Sequence, residues 1–325
     1  MNPTNYSLFR HILEAALRAT RRGLPGPHAL ANFRYNPPML RRPFLFLCAL
    51  SLTASAPALP QQPPPASAAR ILLLPKRIVA GEIAMLAVLD VNGRLTPGVT
   101  INFSNGDHVL TNATGRALFV APPNPGVIYA TIAARSTRVY TTILSPTEAP
   151  SSSLQVSIAP GFSSLADRFE LSGSGFCGQA DANTLQVAGK PALVLASSPI
   201  ALIALPPNDL EPGPAALEIS CSKRTAPAFS IAFLELTLQA DSSPLTPGEH
   251  RILTVHIRGT SAKVPVEARN LSPQIAELTG GNPTSAKVTS SGGAENVAQF
   301  ELTGRARGNF LISVRLLPTP GPPRR

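Results

Sequence analysis

The 325-residue sequence contains no tryptophan, three cysteines and five histidines, and only 14% of its residues are charged. Runs of Ala, Leu, Glu and Lys that would build long helices are scarce. There is no C-x-x-C pair, and residues 153–235, which hold two of the cysteines, lack histidine, so a zinc or redox site is disfavoured. Carbohydrate sites usually present surface aromatics. The lack of Trp, with only Tyr129 and Tyr140 after residue 58, therefore counts against carbohydrate recognition.

Proline and glycine are abundant, at 35 and 23 residues, and they separate many short apolar stretches. Short apolar segments bounded by Pro, Gly, Asn and Ser are typical of β-strands joined by turns. The length leaves room for two or three domains. The composition therefore predicts an all-β protein made of several small domains.

The formal charge of +10 is concentrated at the N-terminus. Residues 1–58 hold seven Arg and one Glu, a net charge of +6, while residues 59–325 hold 21 Lys and Arg against 17 Asp and Glu, a net charge of +4. Nucleic-acid binders need clustered cations, often with stacking aromatics. The cations after residue 58 are scattered, so we expect no nucleic-acid partner.

Residues 39–58, MLRRPFLFLCALSLTASAPA, have the layout of a secretory signal peptide. Two arginines precede the apolar stretch 44–52, which is too short to span a membrane, and small residues follow it. The A-x-A pattern predicts cleavage between Ala58 and Leu59. A cut two residues earlier would place Pro57 next to the cleaved bond, which signal peptidases tolerate poorly. No stable membrane span is predicted after cleavage.

The 38 residues before Met39 are unusual, because a signal peptide normally begins near the true start. We interpret 1–38 as a spurious N-terminal extension. The alternative is a genuine extension in which the basic segment 8–22 forms an interfacial helix. Cys48 lies within the apolar stretch without the small residues of a lipobox, so a lipid anchor is disfavoured. Residues 59–69 are rich in proline and predict an extended linker.

Residues 70–146 have the strand density of a β-sandwich. In GVTINFS, residues 98–104, apolar side chains alternate as in a half-buried strand. The segments DVNGRLTPGVTINFS and TNATGRALFVAP resemble the bacterial immunoglobulin-like repeat of invasin- and intimin-type surface proteins. The resemblance implies a rod-like extracellular module without catalytic residues. The matching positions are Asp90, Gly93, Gly98, Val99, Ile101, Phe103, Thr111, Gly115 and Ala117.

Gly173, Gly175 and Gly178 have the G-x-G-x-x-G spacing of dinucleotide-binding loops. Such a loop requires a helix to begin at the glycines, because the helix N-terminus supplies N–H donors to the phosphates. The residues that follow, QADANTLQVAGKPALVL, contain turn formers and a short strand pattern at 185–187 instead. We therefore expect a strand-terminating turn, with Phe176 packed in the core.

Residues 153–235 contain this turn and resemble the IPT/TIG domain, which has an immunoglobulin-like fold. The resemblance departs modestly between Pro160 and Phe169, where no clean glycine follows the proline. It implies a second β-sandwich. The matching residues are Ile158, Pro160, Leu171, Gly173, Gly175, Phe176, Val187, Gly189, Pro206, Gly213, Leu217 and Ile219.

Residues 236–317 predict a third immunoglobulin-like β-sandwich of no specific family, followed by a proline-rich tail at 318–325. The clearest strand is HRILTVHIRG, in which Leu253, Val255 and Ile257 share one face. The expected fold class is all-β, with two or three tandem immunoglobulin-like sandwiches after a signal peptide.

Two cysteines remain after the signal peptide, Cys177 and Cys221, and both lie in the second block. Cys221 follows Leu217 and Ile219 at strand spacing, so it should point into the sandwich. Two cysteines in one domain of an exported chain favour a disulfide. The alternative is two separate buried thiols.

The sequence predicts an exported bacterial protein, periplasmic, at the cell surface or extracellular, with a structural or binding role and no enzymatic activity. Its expected partner is an unidentified protein or glycan at the cell surface, and no cofactor, metal or catalytic residue is expected. His108, His250 and His256 lie beside turns or on a polar strand face, as solvated histidines do. The alternatives are a carbohydrate-binding accessory module and a secreted hydrolase with a site between sandwiches.

Overall fold

The computed structural model describes residues 70–133, 135–148, 153–241, 243–286 and 288–317. The predicted extension (1–38), signal peptide (39–58) with its cleavage site at Ala58–Leu59, linker (59–69) and tail (318–325) lie outside the described residues. In the described part of the chain, no helix is long and apolar enough to cross a membrane. These residues form an all-β structure with two single-turn 3-10 helices.

The first sandwich has eight strands, because proline and glycine interrupt its apolar segments. Pro75 and Gly81, the latter with a φ of +76°, divide residues 71–90 into three strands, where the pattern predicted two. The elements are β1 (Ile71–Leu73), β2 (Arg77–Val79), β3 (Ile83–Leu89), β4 (Thr100–Phe103), β5 (His108–Leu110), β6 (Arg116–Val120), β7 (Gly126–Ile132), β8 (Arg138–Leu144) and a 3-10 helix (Pro146–Glu148).

These strands form two sheets in an immunoglobulin-like order. One has the order β1-β3-β6, and the other has the order β2-β8-β7-β4-β5, with β2 parallel to β8. Val99, Ile101 and Phe103 are buried and alternate with more exposed residues, as the sequence pattern predicted. Phe103 stacks on Phe119 in this core, with ring centroids 4.1 Å apart.

The second sandwich contains ten strands and a 3-10 helix. The elements are β9 (Gln155–Ile158), β10 (Phe162–Ser164), β11 (Phe169–Ser174), a 3-10 helix (Ala180–Ala182), β12 (Asn183–Val187), β13 (Lys190–Pro191), β14 (Leu193–Ser198), β15 (Ala201–Leu205), β16 (Gly213–Cys221), β17 (Arg224–Thr225) and β18 (Phe229–Gln239). One sheet has the order β14-β15-β11-β9, and β14 also pairs with β3 of the first sandwich, where Ser197 lies opposite Met85. The other sheet has the order β13-β12-β16-β18, and β10 runs parallel to β18. The core contains Phe169 and Phe233, whose rings meet edge to face at 5.4 Å.

A third sandwich is present, built from β18 and seven further strands. The further strands are β19 (His250–Arg258), β20 (Val266–Asn270), β21 (Ala276–Leu278), β22 (Thr284–Ala286), β23 (Val288–Gly292), β24 (Glu295–Gly304) and β25 (Ile312–Leu316). One sheet has the order β18-β19-β24-β21, and the other has the order β22-β20-β25. Leu253, Val255 and Ile257 of β19 are fully buried, as their alternation predicted.

Strand β18 belongs to both the second and the third sandwich. Residues 229–233 pair with β16, and residues 235–239 pair with β19. The domain boundary predicted between residues 235 and 236 therefore lies inside one continuous strand. Gly259 sits against this crossing point with a φ of +106°, and a Cβ there would lie 2.7 Å from the Phe233 carbonyl oxygen.

Candidate functional site

The first sandwich exposes an aromatic surface on the outward side of its five-stranded sheet. Tyr129 of β7 lies directly opposite Tyr140 of β8, with ring centroids 5.9 Å apart in an edge-on arrangement. Because side chains alternate across a strand, the burial of Ile128 and Ala130 places Tyr129 on the outside. We name this surface the tyrosine face, and its residues are Arg77, Asn102, Val127, Tyr129, Thr131, Arg138, Tyr140 and Thr142.

Arg138 extends the aromatic pair into a mixed aromatic and cationic surface. Its guanidinium carbon lies 4.6 Å from the centroid of the Tyr129 ring, which is cation–π geometry. Tyr140 keeps 56% of its surface exposed. The stack orders the guanidinium while leaving the ring of Tyr140 open to a ligand.

Small polar side chains and the exposed Val127 lie beside the tyrosines on the same sheet. Thr131 lies opposite Arg138 on one side and Asn102 on the other, so these three residues form a row across β8, β7 and β4. The Tyr129 backbone N–H donates to the Ser104 hydroxyl at 3.2 Å, which ties β7 to the end of β4. Amide and hydroxyl groups therefore lie within one or two residues of each ring.

The tyrosine face carries positive charge without balancing carboxylates. The five strands of this sheet contain Arg77, His108 and Arg138 and no Asp or Glu. Within the described part of the chain, neither arginine makes a salt bridge. A planar, open surface of this kind can bind rings and hydrogen-bonding groups, and it favours ligands that carry negative charge.

The number of tyrosines in the sequence does not reveal this site, because the site depends on the pairing of the two strands that carry them. The segments 126–132 and 138–144 were both predicted as strands, and they pair as an antiparallel hairpin. Tyr129 and Tyr140 lie at symmetric positions within that hairpin. Folding the two predicted strands on each other would have brought the rings together, and this was the available signal.

The glycines of the G-x-G-x-x-G pattern serve close packing of the backbone. A Cβ on Gly173 would lie 2.0 Å from the Gln155 carbonyl oxygen, and one on Gly175, at a φ of +70°, would lie 2.7 Å from the Ser153 backbone. Gly173 is within β11, at a shift of its register with β9, and Gly175 follows the end of β11. Phe176 is 3% exposed and packs in the second core.

Gly178 has a different role, because it touches the first sandwich. A Cβ at this position would lie 2.2 Å from the carbonyl oxygen of Ile83 in β3. The Gly178 carbonyl oxygen also accepts a hydrogen bond from the Ser197 hydroxyl at 2.8 Å. The third glycine of the pattern therefore sits in the junction between the first and second sandwiches.

Replacing Gly178 with alanine is expected to loosen this junction, since the added methyl group meets backbone that cannot rotate away. We expect amide hydrogen exchange in residues 83–89 and 193–198 to become about tenfold faster, which corresponds to about 1.4 kcal/mol of opening free energy. The exposed neighbour Gln179, replaced by alanine, is the control and should leave exchange unchanged. Equal exchange in both variants would contradict a packing role for Gly178.

The junction has its own apolar layer and a buried arginine. In the layer, β1 and β3 of the first sandwich pack on β14 and β15 of the second. Arg116 of β6 donates to the carbonyl oxygens of Leu195 at 3.2 Å and Val194 at 2.7 Å, and it pairs with Asp181 at 2.9 Å. The buried residues of the layer are Ile71, Leu73, Ala87, Leu89, Leu195, Ala196 and Ile203.

Cys177 and Cys221 are joined by a disulfide in the second sandwich, with Cα atoms 5.7 Å apart. Cys221 ends β16 and is fully buried, whereas Cys177 lies in the turn after β11 and is partly exposed. Asn183 holds the same turn, accepting the Cys177 backbone N–H at 2.9 Å and donating to the Cys177 carbonyl at 2.8 Å. The turn is therefore fixed by a covalent link and by a buried side chain.

The titratable groups of the third sandwich form local pairs. His256 contacts Glu295 at 3.1 Å across adjacent strands, on the polar face that the sequence predicted. The pKa of Glu249 lies below its usual value because its carboxylate accepts the Thr246 backbone N–H and then the Arg251 guanidinium. Among the described residues, no three His, Cys, Asp or Glu side chains are grouped as a metal site.

The chain is similar to several solved surface-protein structures. One is SGBP-B of the Bacteroides ovatus mixed-linkage glucan utilization locus, in complex with a mixed-linkage heptasaccharide, at 13% identity over 74% of this chain and 71% of that chain, with a TM-score of 0.32. The S-layer protein rSbsC is 13% identical over 72% of this chain and 36% of that chain, with a TM-score of 0.18. The BSP domain of a biofilm-associated protein is 15% identical over 49% of this chain and 28% of that chain, with a TM-score of 0.24.

No protein-family model matches the sequence, and a comparison with curated proteins finds no match. At 13–15% identity, these similar structures share the fold with this chain. A fold hosts many functions, so function depends on the side chains that the chain presents, here those of the tyrosine face.

Proposed function

We propose that the chain is an exported, non-enzymatic binding protein of the bacterial cell surface, and that the tyrosine face contacts a carbohydrate. The observation that carries the binding site is the pairing of Tyr129 with Tyr140, beside Arg138, on a sheet face that the described residues leave exposed. The C–H face of a sugar ring packs against an aromatic ring, while its hydroxyls bond to neighbouring amides and hydroxyls. Asn102 and Thr131 offer such groups.

We further propose that the first sandwich is an invasin- and intimin-type repeat and the second an IPT/TIG domain. The turn after β3 supports the first assignment. Asp90 accepts the backbone N–H groups of Asn92 at 2.8 Å and Arg94 at 2.9 Å, and Gly93 has a φ of +76°. Gly115, at a φ of +71°, leaves no room for a Cβ beside Thr96. The motif residues thus have the turn and packing roles that such a pattern requires.

The contents of the first junction support a binding role over hydrolysis. A hydrolase site between sandwiches would need a cleft with converging acid and base groups. Apolar side chains fill this junction instead, and Arg116 bonds to two backbone carbonyls there. We propose that the junction fixes the first sandwich relative to the second, so that the tyrosine face keeps one orientation.

Export is tested by the intact mass of the native protein from fractionated cells. In the envelope or extracellular fraction we expect the mass of a chain that starts at Leu59, because the signal peptide is cleaved after Ala58. Reduction should add the mass of two hydrogen atoms, because the disulfide between Cys177 and Cys221 takes up two electrons and two protons to give two thiols. An uncleaved chain recovered from the cytoplasm with two thiols would overturn the proposed export. Chains of this mass in a cytoplasmic marker fraction would overturn the surface location.

A further inference from the structure

We infer that the tyrosine face takes an acidic polysaccharide whose sugar rings carry carboxylates, an inference that rests on the carbohydrate-binding function proposed above. The commitment to a carboxylated sugar comes from the charge of the face. Its strands supply Arg77 and Arg138 and no acidic side chain, so a carboxylated ligand can form charge-assisted hydrogen bonds with these guanidinium groups that a neutral ligand cannot.

The two arginines lie on opposite sides of the aromatic pair. Arg138 is two residues before Tyr140 on β8, and Arg77 of β2 lies opposite Thr142, two residues after Tyr140. Positions 138 and 142 of one strand are about 13 Å apart. A polymer lying along β8 would therefore meet a cation, an aromatic ring and a second cation in turn. This order suits a polysaccharide that carries carboxylates at intervals along its length.

Arg138 is prepared for a carboxylate by its contact with Tyr129. The ring holds the guanidinium over the sheet at 4.6 Å, which reduces the side-chain entropy lost when a ligand binds. A guanidinium presents its N–H groups as a planar fork that matches the two oxygens of a carboxylate. The neighbouring Thr131, opposite Arg138 in the β7–β8 ladder, adds a hydroxyl at the same end of the face.

A nucleic acid is a poorer fit to this surface. Its backbone would place several phosphates along the face, and affinity for such a polymer grows with the number of phosphates that cations neutralise. The strands of the sheet carry only two arginines, which are spaced to either side of the rings. A sparse arrangement of cations around tyrosines favours a polymer with fewer charges per unit length.

The test measures binding of the exported full-length protein to polygalacturonate, alginate and hyaluronan, with methyl-esterified polygalacturonate as the uncharged match. The variants are Arg138→Gln and Tyr140→Ala. Arg94→Gln removes an exposed arginine from the β3–β4 turn and serves as the charge-matched control. We expect at least one acidic polymer to bind, esterification to weaken binding, and either variant to lose at least about tenfold in affinity. The control should bind as the unmodified protein does.

The outcomes separate this inference from the proposed function. If the acidic and esterified polymers bind equally well and Tyr140→Ala loses both, carbohydrate binding at the tyrosine face is retained. The inference that the ligand is an acidic polysaccharide is then overturned. Acidic binding that survives both variants would place the ligand elsewhere and overturn the assignment to the tyrosine face. If neither the acidic polymers nor the esterified match binds, both are overturned. Single-stranded DNA binding more tightly than any of the polysaccharides would overturn the inference in favour of a nucleic-acid partner.

Discussion

Replacing Arg116 with methionine is expected to lower the free energy of unfolding by about 3 kcal/mol. Arg116 is 4% exposed, and its guanidinium donates to the carbonyl oxygens of Val194 and Leu195. Methionine preserves much of the apolar volume but offers no donor. Two buried carbonyl groups would then lack these bonds, and each such loss costs about 1–3 kcal/mol.

Arg116 bonds to β14 at an irregularity in the pairing of that strand. The pairing of β14 with β15 shifts register between Val194 and Ala196, so Leu195 is an extra residue without a partner in the ladder. A bulge of this kind leaves backbone groups unpaired, and in a buried layer they require another donor. Arg116 of the first sandwich donates to the carbonyls of Val194 and Leu195, so the bulge in the second sandwich is also a contact point between the two domains.

The salt bridge to Asp181 contributes much less. The Asp181 side chain is 66% exposed, so water stabilises its carboxylate when the partner is lost. We expect Asp181→Asn to change stability by less than about 1 kcal/mol. The free energy of unfolding of both variants is measured with guanidinium chloride. The transition that shifts when a reductant is added is assigned to the second sandwich, because that sandwich contains the disulfide. Similar losses in the two variants would contradict the assignment of the energy to the carbonyls.

The architecture could be predicted because its signals are local. Val99, Ile101 and Leu253 were placed in the core by alternation, and alternation requires only that a strand have two faces. Turn glycines such as Gly93 mark strand ends for a similarly local reason, their positive φ. The all-β class and the immunoglobulin-like sandwiches follow from these patterns. The shared strand β18 was missed, because no turn residue marks the boundary between two sandwiches when one strand crosses it.

The candidate site and the junction depend on long-range register, which a single sequence does not reveal. Arg116 occupies a variable position of the first motif, and its partners lie 78 and 79 residues away. Gly178 was assigned to a turn, yet its lack of a side chain serves a contact with Ile83 in another domain. The small number of tyrosines in the sequence counts against carbohydrate binding, whereas the pairing of Tyr129 with Tyr140 in the folded sheet favours it.

Removing the disulfide is expected to destabilise the second sandwich by about 2–4 kcal/mol. The crosslink closes a loop with a sequence separation of 44 residues, and the chain-entropy model gives about 4 kcal/mol for a loop of that length. The Asn183 side chain also anchors the Cys177 turn, so part of the folded turn persists without the bond. We therefore expect the measured loss to lie below the full value in the double variant Cys177→Ser, Cys221→Ala. Alanine suits the second position because Cys221 is fully buried.

Reductant supplies the matched control, because it removes the same bond without changing the sequence. Dithiothreitol should shift the unfolding transition of the native protein to that of the double variant, and it should leave the double variant unchanged. A native protein whose stability ignores reductant, with two reactive thiols after unfolding, would contradict the disulfide. It would also remove an argument for export, because a structural disulfide of this kind persists in oxidising compartments and is rare in the cytosol. Stability in the presence and absence of reductant thus tests the fold of one sandwich and the compartment of the whole chain together.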